Sequence, residues 1–540
     1  MLVDILVFFV ALLLFLYYRG TRNYKKFKLR GISQAEPIWP FGSKHNWSLL
    51  FSKAVGVCEQ YSVYRGTELE KEKMFGIYGH PDNGDALIIN DMDLAKRMLV
   101  KDFDHFVDRT DFGLKIDETS EADMIFRHSF MMQKGDDWKK NRNLMTPVFT
   151  TGKLKLMYNL LQECGTQLED FIATCSKQNL EIDSKETFGK FALDGIATSG
   201  FGIESNSFKD PDNMFRKMVQ DLMRAPGSES GTNYEISKLI LKGIFPLIEY
   251  IVSVPNISPK GALFLKDVLR KTIKHREDTQ TRRNDIIDLI IDQIENKKDE
   301  DIVNEFESEF EKDAALDMSN MKQNNDKFDK ERTLVSNGFL LFIAALDTTS
   351  STLTFIIHFF LKHPEVQERV RDEIMEAIGT SKKVTFDHIQ NLKYLDNVIY
   401  ETLRHAHPFP QILERECTKD YLIPGTKYVV KKGEVVNFTF LYERMRKENE
   451  SFFNPDEYDP DNFDASNNPD SFSFLGFGQG PRNCIGKRYA MISIKIALVS
   501  ILRKFRLVKS KNTKDSLHQY KFLAGADVPF HAIPLEETEV

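Results

Sequence analysis

Phe477-Gly478-Gln479-Gly480-Pro481-Arg482-Asn483-Cys484-Ile485-Gly486 places one cysteine among glycines, a proline and an arginine. A run with apolar residues at helical spacing follows, from Ile485 to Leu502. The glycines permit close backbone approach and positive φ. Pro481 fixes one turn. An isolated cysteine ordinarily packs as a small buried hydrophobe. Here Cys484 falls beside a predicted helix N-terminus, where free N–H groups and the helix dipole stabilise a thiolate. Such a thiolate suits haem iron, because it pushes electron density onto the metal and favours O–O cleavage. Arg482 is placed to meet a porphyrin propionate.

Composition limits the alternatives. The chain has 540 residues, is 41% hydrophobic and 28% charged, and so can bury a large core. A net charge of −7 gives no electrostatic support to nucleic-acid binding. The five cysteines (Cys58, Cys164, Cys175, Cys417, Cys484) follow neither a disulfide framework nor zinc-site spacing, which fits a reducing compartment.

Residues 1–18, MLVDILVFFVALLLFLYY, carry only Asp4 as a charge. As a helix they span about 27 Å, close to the hydrocarbon thickness of a bilayer. Arg19, Arg22, Lys25, Lys26, Lys28 and Arg30 follow, which places that flank in the cytosol. A cleaved signal peptide would carry its positive charge first and a small-residue cleavage site after. The segment therefore reads as an uncleaved anchor, followed by a basic, proline-containing linker over 19–43 and one catalytic domain over 44–540.

The interior reads as mainly α with small β-sheets (α+β). Strands are expected within 75–90 and 412–440, and helices over 138–175, 188–200, 213–224, 236–252 and 261–295. The polar stretch 295–332 is expected to form a long surface loop. Val335–Phe360 is apolar, but Asp347, hydroxyls and His358 argue against a second membrane span.

Further constellations stand beside the cysteine loop. Ala344-Ala345-Leu346-Asp347-Thr348-Thr349 sets an acid beside hydroxyls in an apolar helix, which is costly unless paired or functional. Either the threonines bond back to the preceding turn, or Asp347 and Thr348 organise proton delivery. Glu401 and Arg404 share a helical face flanked by apolar positions, which suggests a buried structural pair. Trp138 and Arg142, four apart, can both donate to carboxylates, although taken alone they read first as an amphipathic helix with a packed Trp. Arg415 is a weaker candidate for the same purpose.

In this order the segments resemble a cytochrome P450, over nearly the whole chain: anchor, WxxxR, A-A-x-D-T-T, ExxR and FxxGxRxCxG. FDHFVDRT (103–110) and WKKNRNLMTPVFTTGKLK (138–155) are similar to the animal microsomal branch of drug-metabolising and insect detoxifying enzymes. The resemblance implies haem b between a long distal helix and the proximal cysteine-loop helix. It makes Cys484 the axial ligand, Asp347 and Thr348 the acid–alcohol pair, and Trp138, Arg142, Arg482, Arg415 and Phe477 cofactor contacts. Glu401 and Arg404 become the structural pair. It further implies insertion of one oxygen atom of O₂ into a hydrophobic xenobiotic, steroid or lipid at the endoplasmic reticulum membrane, with the catalytic domain facing the cytosol. No dinucleotide fingerprint follows a strand. The resemblance therefore implies a separate electron donor, NADPH–cytochrome P450 reductase, with cytochrome b5 as an accessory, and Lys139, Lys140, Lys487 and Arg488 as docking cations.

Two positions depart from the family pattern. Ala345 stands where glycine is usual and adds a methyl beside the expected oxygen groove. Asn462, in Pro460-Asp461-Asn462-Phe463, replaces an arginine that usually completes the Glu401–Arg404 network. A haem-thiolate isomerase or dehydratase and a non-catalytic haem-binding protein are the alternative function classes. The acid–alcohol pair argues against the first, and the intact ligand positions argue against the second.

Overall fold

The computed structural model describes residues 2–39, 42–43, 64, 66–79, 85–111, 116, 118–210, 213–223, 258–295, 329–378, 383–409, 413–438, 441–442, 445, 452–467, 471–515, 517 and 528–535. Helices dominate these residues. The principal ones are α1 (Leu2–Thr21), α2 (Lys26–Leu29), α3 (Gly135–Met145), α4 (Thr151–Lys177), α5 (Ser184–Phe201), α6 (Met214–Met223), α7 (Pro259–Thr279), α8 (Ile286–Ile294), α9 (Lys330–Lys362), α10 (Pro364–Ile378), α11 (Lys393–His405) and α12 (Lys487–Leu502). The strands are β1 (Met74–Tyr78), β2 (Asp85–Ile89), β3 (Ile182–Asp183), β4 (Glu414–Glu416), β5 (Tyr421–Leu422), β6 (Val429–Val430), β7 (Val435–Asn437), β8 (Phe505–Lys509) and β9 (Pro529–Pro534). The chain divides into two compact units.

The first unit comprises Met1–Asp123, Arg224–Ser258 and Pro410–Arg444. Its main sheet has the order β1-β2-β7-β4, with β2 and β7 parallel and the other pairs antiparallel. Phe75, Ile77, Ala86, Ile88 and Val435 alternate onto one face and form a core with Ala35 and Tyr64. Helix α1 is unburied over Val3–Thr21 and long and apolar enough to cross a membrane. It runs three residues beyond Tyr18, with Arg19 in a last turn that favours a cation.

The basic segment after α1 is attached to the sheet. Phe27 is buried over Gly76, where any side chain would collide with its ring. Lys26 Nζ lies 2.8 Å from Asp85 Oδ2, and Arg30 Nη1 lies 2.6 Å from Glu434 Oε1. Ala35 N–H donates to Gly76 O at 2.8 Å. Two of the cations expected on a free linker therefore turn inward onto carboxylates.

The second unit comprises Met124–Met223, Pro259–Phe409 and Met445–Val540. Helix α9 runs through its core, packed against α5, α7 and α11, while α12 packs on α4. A sheet of order β3-β9-β8 completes it. The helix expected over 138–175 is two helices, because Pro147 has no N–H and the chain passes through a 3₁₀ turn at Thr146–Phe149. The segment 261–295 also divides. Asp285 caps α8 by accepting from Asp288 N, and Arg276 holds the turn through Asp285 and Asp288. The helix expected over 236–252 and residues 296–328 of the polar stretch lie outside the described residues, as do Pro40 and Cys58.

Candidate active site

The cysteine loop is shaped by its glycines. Gly478 and Gly480 have φ of 71° and 74°, which a side chain would strain. Cys484 N–H donates to Phe477 O at 2.8 Å, and Asn483 N–H to Gly480 O at 2.9 Å. The loop therefore closes on itself and presents Cys484 as an exposed thiol, while Cys164, Cys175 and Cys417 are buried. Helix α12 starts at Lys487, with Gly486 as its cap, so Cys484 precedes the helix by one turn. A Cβ on Gly486 would meet nothing within 4 Å.

Beside the thiol lies a buried cation with no carboxylate partner among the described residues. The Arg142 guanidinium donates from Nη2 to Asn483 Oδ1 at 2.7 Å, and its Nε is buried without a partner among the described residues. Burial pushes the Arg142 pKa down to about 10, and charge on Cys484 partly offsets this. An uncompensated buried guanidinium is costly and seeks an acidic partner. Arg482, also buried, lies with its Cζ 4.1 Å from the centroid of the Trp138 ring. Its two Nη atoms donate to Met131 O at 3.2 Å and Gln133 O at 2.9 Å. The two carbonyls thereby hold the guanidinium over the indole. Phe477 is half-buried within an aromatic group that includes Tyr400 and Phe474, and Lys487 Nζ stands 5.9 Å from its ring.

Helix α9 is buried from Thr333 to Phe342 and again from Thr349 to Leu361. Between these spans Ile343, Ala345, Asp347 and Thr348 are partly exposed, and Ala344 is exposed. A core helix with an open centre borders a space. The Thr348 hydroxyl donates back to Ala344 O at 2.6 Å, which leaves its oxygen able to accept. Asp347 is turned to a partner that sequence reading missed, Lys185 of α5, with Nζ 2.7 Å from Oδ1. Lys185 also donates to Ser351 Oγ at 2.7 Å and Ser350 Oγ at 3.1 Å. One ammonium thus spends its three donors on one turn of α9.

Behind the loop, Glu401 and Arg404 are both fully buried, with Nε–Oε2 and Nη2–Oε1 distances of 2.7 and 2.8 Å. Burial alone would raise the Glu401 pKa, but hydrogen bonds from Arg404 and His405 carry it below the ordinary value. Asn462 Nδ2 donates to Glu401 Oε1 at 3.3 Å, and Phe453 N–H donates to Asn462 Oδ1 at 2.7 Å. The asparagine supplies a hydrogen bond where an arginine would supply charge. Arg415 sits on β4 in the first unit, where burial pushes its pKa down to about 10.

Comparison with known proteins identifies this arrangement. The family model described as Cytochrome P450 matches residues 57–528. The chain belongs to the cytochrome P450 family. Cytochrome P450 6k1 of Blattella germanica is 30% identical, covering 95% of this chain and 93% of that protein. A probable cytochrome P450 6d4 of Drosophila melanogaster is 31% identical, covering 92% of each. Cytochrome P450 3A11 of Mus musculus is 28% identical over 93% of this chain and 90% of its own length. The P450 chain is therefore a monooxygenase of a family that carries haem on a cysteine thiolate. The residues present fit that group: an exposed thiol, a neighbouring buried cation lacking an anion among the described residues, and a partly exposed stretch of core helix.

Proposed function

We propose that this P450 inserts one oxygen atom of O₂ into a hydrophobic small molecule (xenobiotic, steroid or lipid), with electrons from NADPH–cytochrome P450 reductase. The observation that carries the site assignment is Arg142, a buried guanidinium beside an exposed thiol with no carboxylate partner among the described residues. In this reading Cys484 would hold the haem iron through its thiolate, and Arg142 and Arg482 would receive the propionates. Trp138 supports the Arg482 guanidinium through its ring face. Haem, when bound, supplies the iron that activates O₂.

The chain's own groups govern water and protons. The buried flanks of α9 exclude solvent, and its open centre admits substrate and protons at one place. The Thr348 hydroxyl donates to Ala344 O, and its oxygen accepts a proton-bearing water. Lys185 holds Asp347 as a fixed carboxylate one residue away. Proton transfer through such a pair depends on position first and pKa second. Helix α1 supports attachment to the endoplasmic reticulum membrane with the catalytic body in the cytosol. Lys139, Lys140, Lys487 and Arg488 are the proposed cations for an acidic reductase face.

The test is reductase-dependent NADPH consumption with a substrate chosen by binding-difference spectra. Stoichiometric hydroxylated product supports the proposal. Substrate rearrangement without NADPH or O₂ contradicts it.

A further inference from the structure

Helix α3, which carries Trp138 and Arg142, is joined to α9 by a reciprocal amide pair. Asn337 Nδ2 donates to Asn141 Oδ1 at 2.7 Å, and Asn141 Nδ2 reaches Asn337 Oδ1 at 3.3 Å. Both residues are buried. Asn337 Oδ1 also accepts from Phe130 N at 3.0 Å, and Asn141 Nδ2 donates to Gln133 Oε1 at 2.9 Å. The turn between Phe130 and Gln133 is therefore held at its first residue by Asn337 of α9 and at its last side chain by Asn141 of α3. The same turn supplies the carbonyls of Met131 and Gln133 to which Arg482 donates. One unbroken set of hydrogen bonds runs from α9, through this turn and α3, to the cysteine loop.

Apolar contacts between helices tolerate sliding. A buried reciprocal amide pair accepts one register, because any shift orphans donors and acceptors together. A displacement of α9 at Asn337 must therefore be followed by the 130–133 turn or break it. The Arg482 fork donates to two carbonyls of that turn.

We propose that Asn337 is a positioning residue: through Asn141 and the 130–133 turn, it sets where Arg482 meets the cofactor's carboxylates. This rests on the reading of Arg482 as a propionate partner. Neither asparagine touches the cofactor in this proposal. Movement of α9 then reaches the opposite side of the site as a change in propionate anchoring.

The test uses the full-length holoprotein and two readouts besides turnover: the rate of haem transfer to an apomyoglobin scavenger, and the haem reduction potential. Asn337→Leu, near-isosteric but unable to pair, should speed haem loss about tenfold and shift the potential. Thr354→Ala removes a buried hydroxyl of the same helix that bonds only to Ser350 O, and should change neither readout. Arg482→Leu should speed haem loss by itself, and Asn337→Leu should add nothing in that background. Gln133→Ala cuts one strand of the set without opening the core, and should give a smaller shift in the same direction. It keeps the test available should Asn337→Leu fail to fold. Equal behaviour of Asn337→Leu and Thr354→Ala, an unchanged Gln133→Ala, or fully multiplicative effects of Asn337→Leu and Arg482→Leu, overturns the proposal. Unchanged haem loss in Arg482→Leu instead overturns the propionate reading beneath it.

Discussion

Glu401→Gln removes the charge from the most deeply buried ion pair of the proposed haem-binding unit while keeping the side chain's shape. Glu401 accepts from Arg404 twice, from Asp459 N at 2.8 Å and from Asn462 Nδ2 at 3.3 Å. Without the carboxylate charge, Arg404 remains as a buried, uncompensated cation, which costs about 3–5 kcal/mol. Arg404→Leu should cost more. It strands the carboxylate and also removes the donors that serve the carbonyls of Met445, Pro455 and Glu457. Each orphaned carbonyl adds about 1–3 kcal/mol. Asn462→Ala loses one long bond to Glu401 and one to Phe453 N, and should cost about 1 kcal/mol. Urea unfolding followed by far-UV circular dichroism and the Soret band measures all three. The pH dependence has a fixed sign. Glu401 has a folded pKa below its ordinary 4.5, so its stabilisation is present above that value and lost as pH falls through the folded one. The gap between wild type and Glu401→Gln should hold above the ordinary value of 4.5 and close only as pH falls through the lower folded one. A Glu401→Gln cost under about 1 kcal/mol, or Asn462→Ala costing more than Arg404→Leu, refutes the reasoning.

Lys185→Met should lower stability by only about 1 kcal/mol, because the Asp347 pair is partly exposed, yet reduce product formed per NADPH. Lys185→Arg should recover part of the loss, and unchanged coupling would make the clamp purely structural. Ala345→Gly should raise product per NADPH if the methyl crowds the open turn, at about 1 kcal/mol of helix stability, and unchanged coupling removes that role. Burial pushes His358 and His407 down to about 4 from the ordinary 6.5. Each therefore contributes stability above pH 6.5 that is lost as pH falls toward 4, at up to about 1.4 kcal/mol per pH unit. His407→Phe should remove one such contribution from the slope of stability against pH between those values, and an unaltered slope contradicts the assignment.

The cysteine loop was legible because its information is local: glycines where φ is positive, a proline, and a helix directly after. The acid beside hydroxyls in α9 was legible because a charge in an apolar run is conspicuous. Their partners were not. Lys185 stands 162 residues from Asp347, and Asn141 stands 196 residues from Asn337. Nothing in spacing or periodicity joins residues so distant, although Asn337 within an apolar stretch was a signal of the same kind as Asp347. The Asn483 contact to Arg142 was hidden for the same reason, since 341 residues separate the two. Docking of Lys26 and Arg30 depends on Asp85 and Glu434, which share no pattern with the basic segment. The Asn462 departure reads as a lost charge in sequence and as a retained hydrogen bond in the fold.

The central claim is that Cys484 binds haem iron as a thiolate. The ferrous–carbon monoxide spectrum of Cys484→Ser tests it most directly, beside wild type with equal haem content. Wild type should give the strongly red-shifted Soret band of thiolate ligation, and Cys484→Ser should lose it. A red-shifted band that persists in Cys484→Ser contradicts the account.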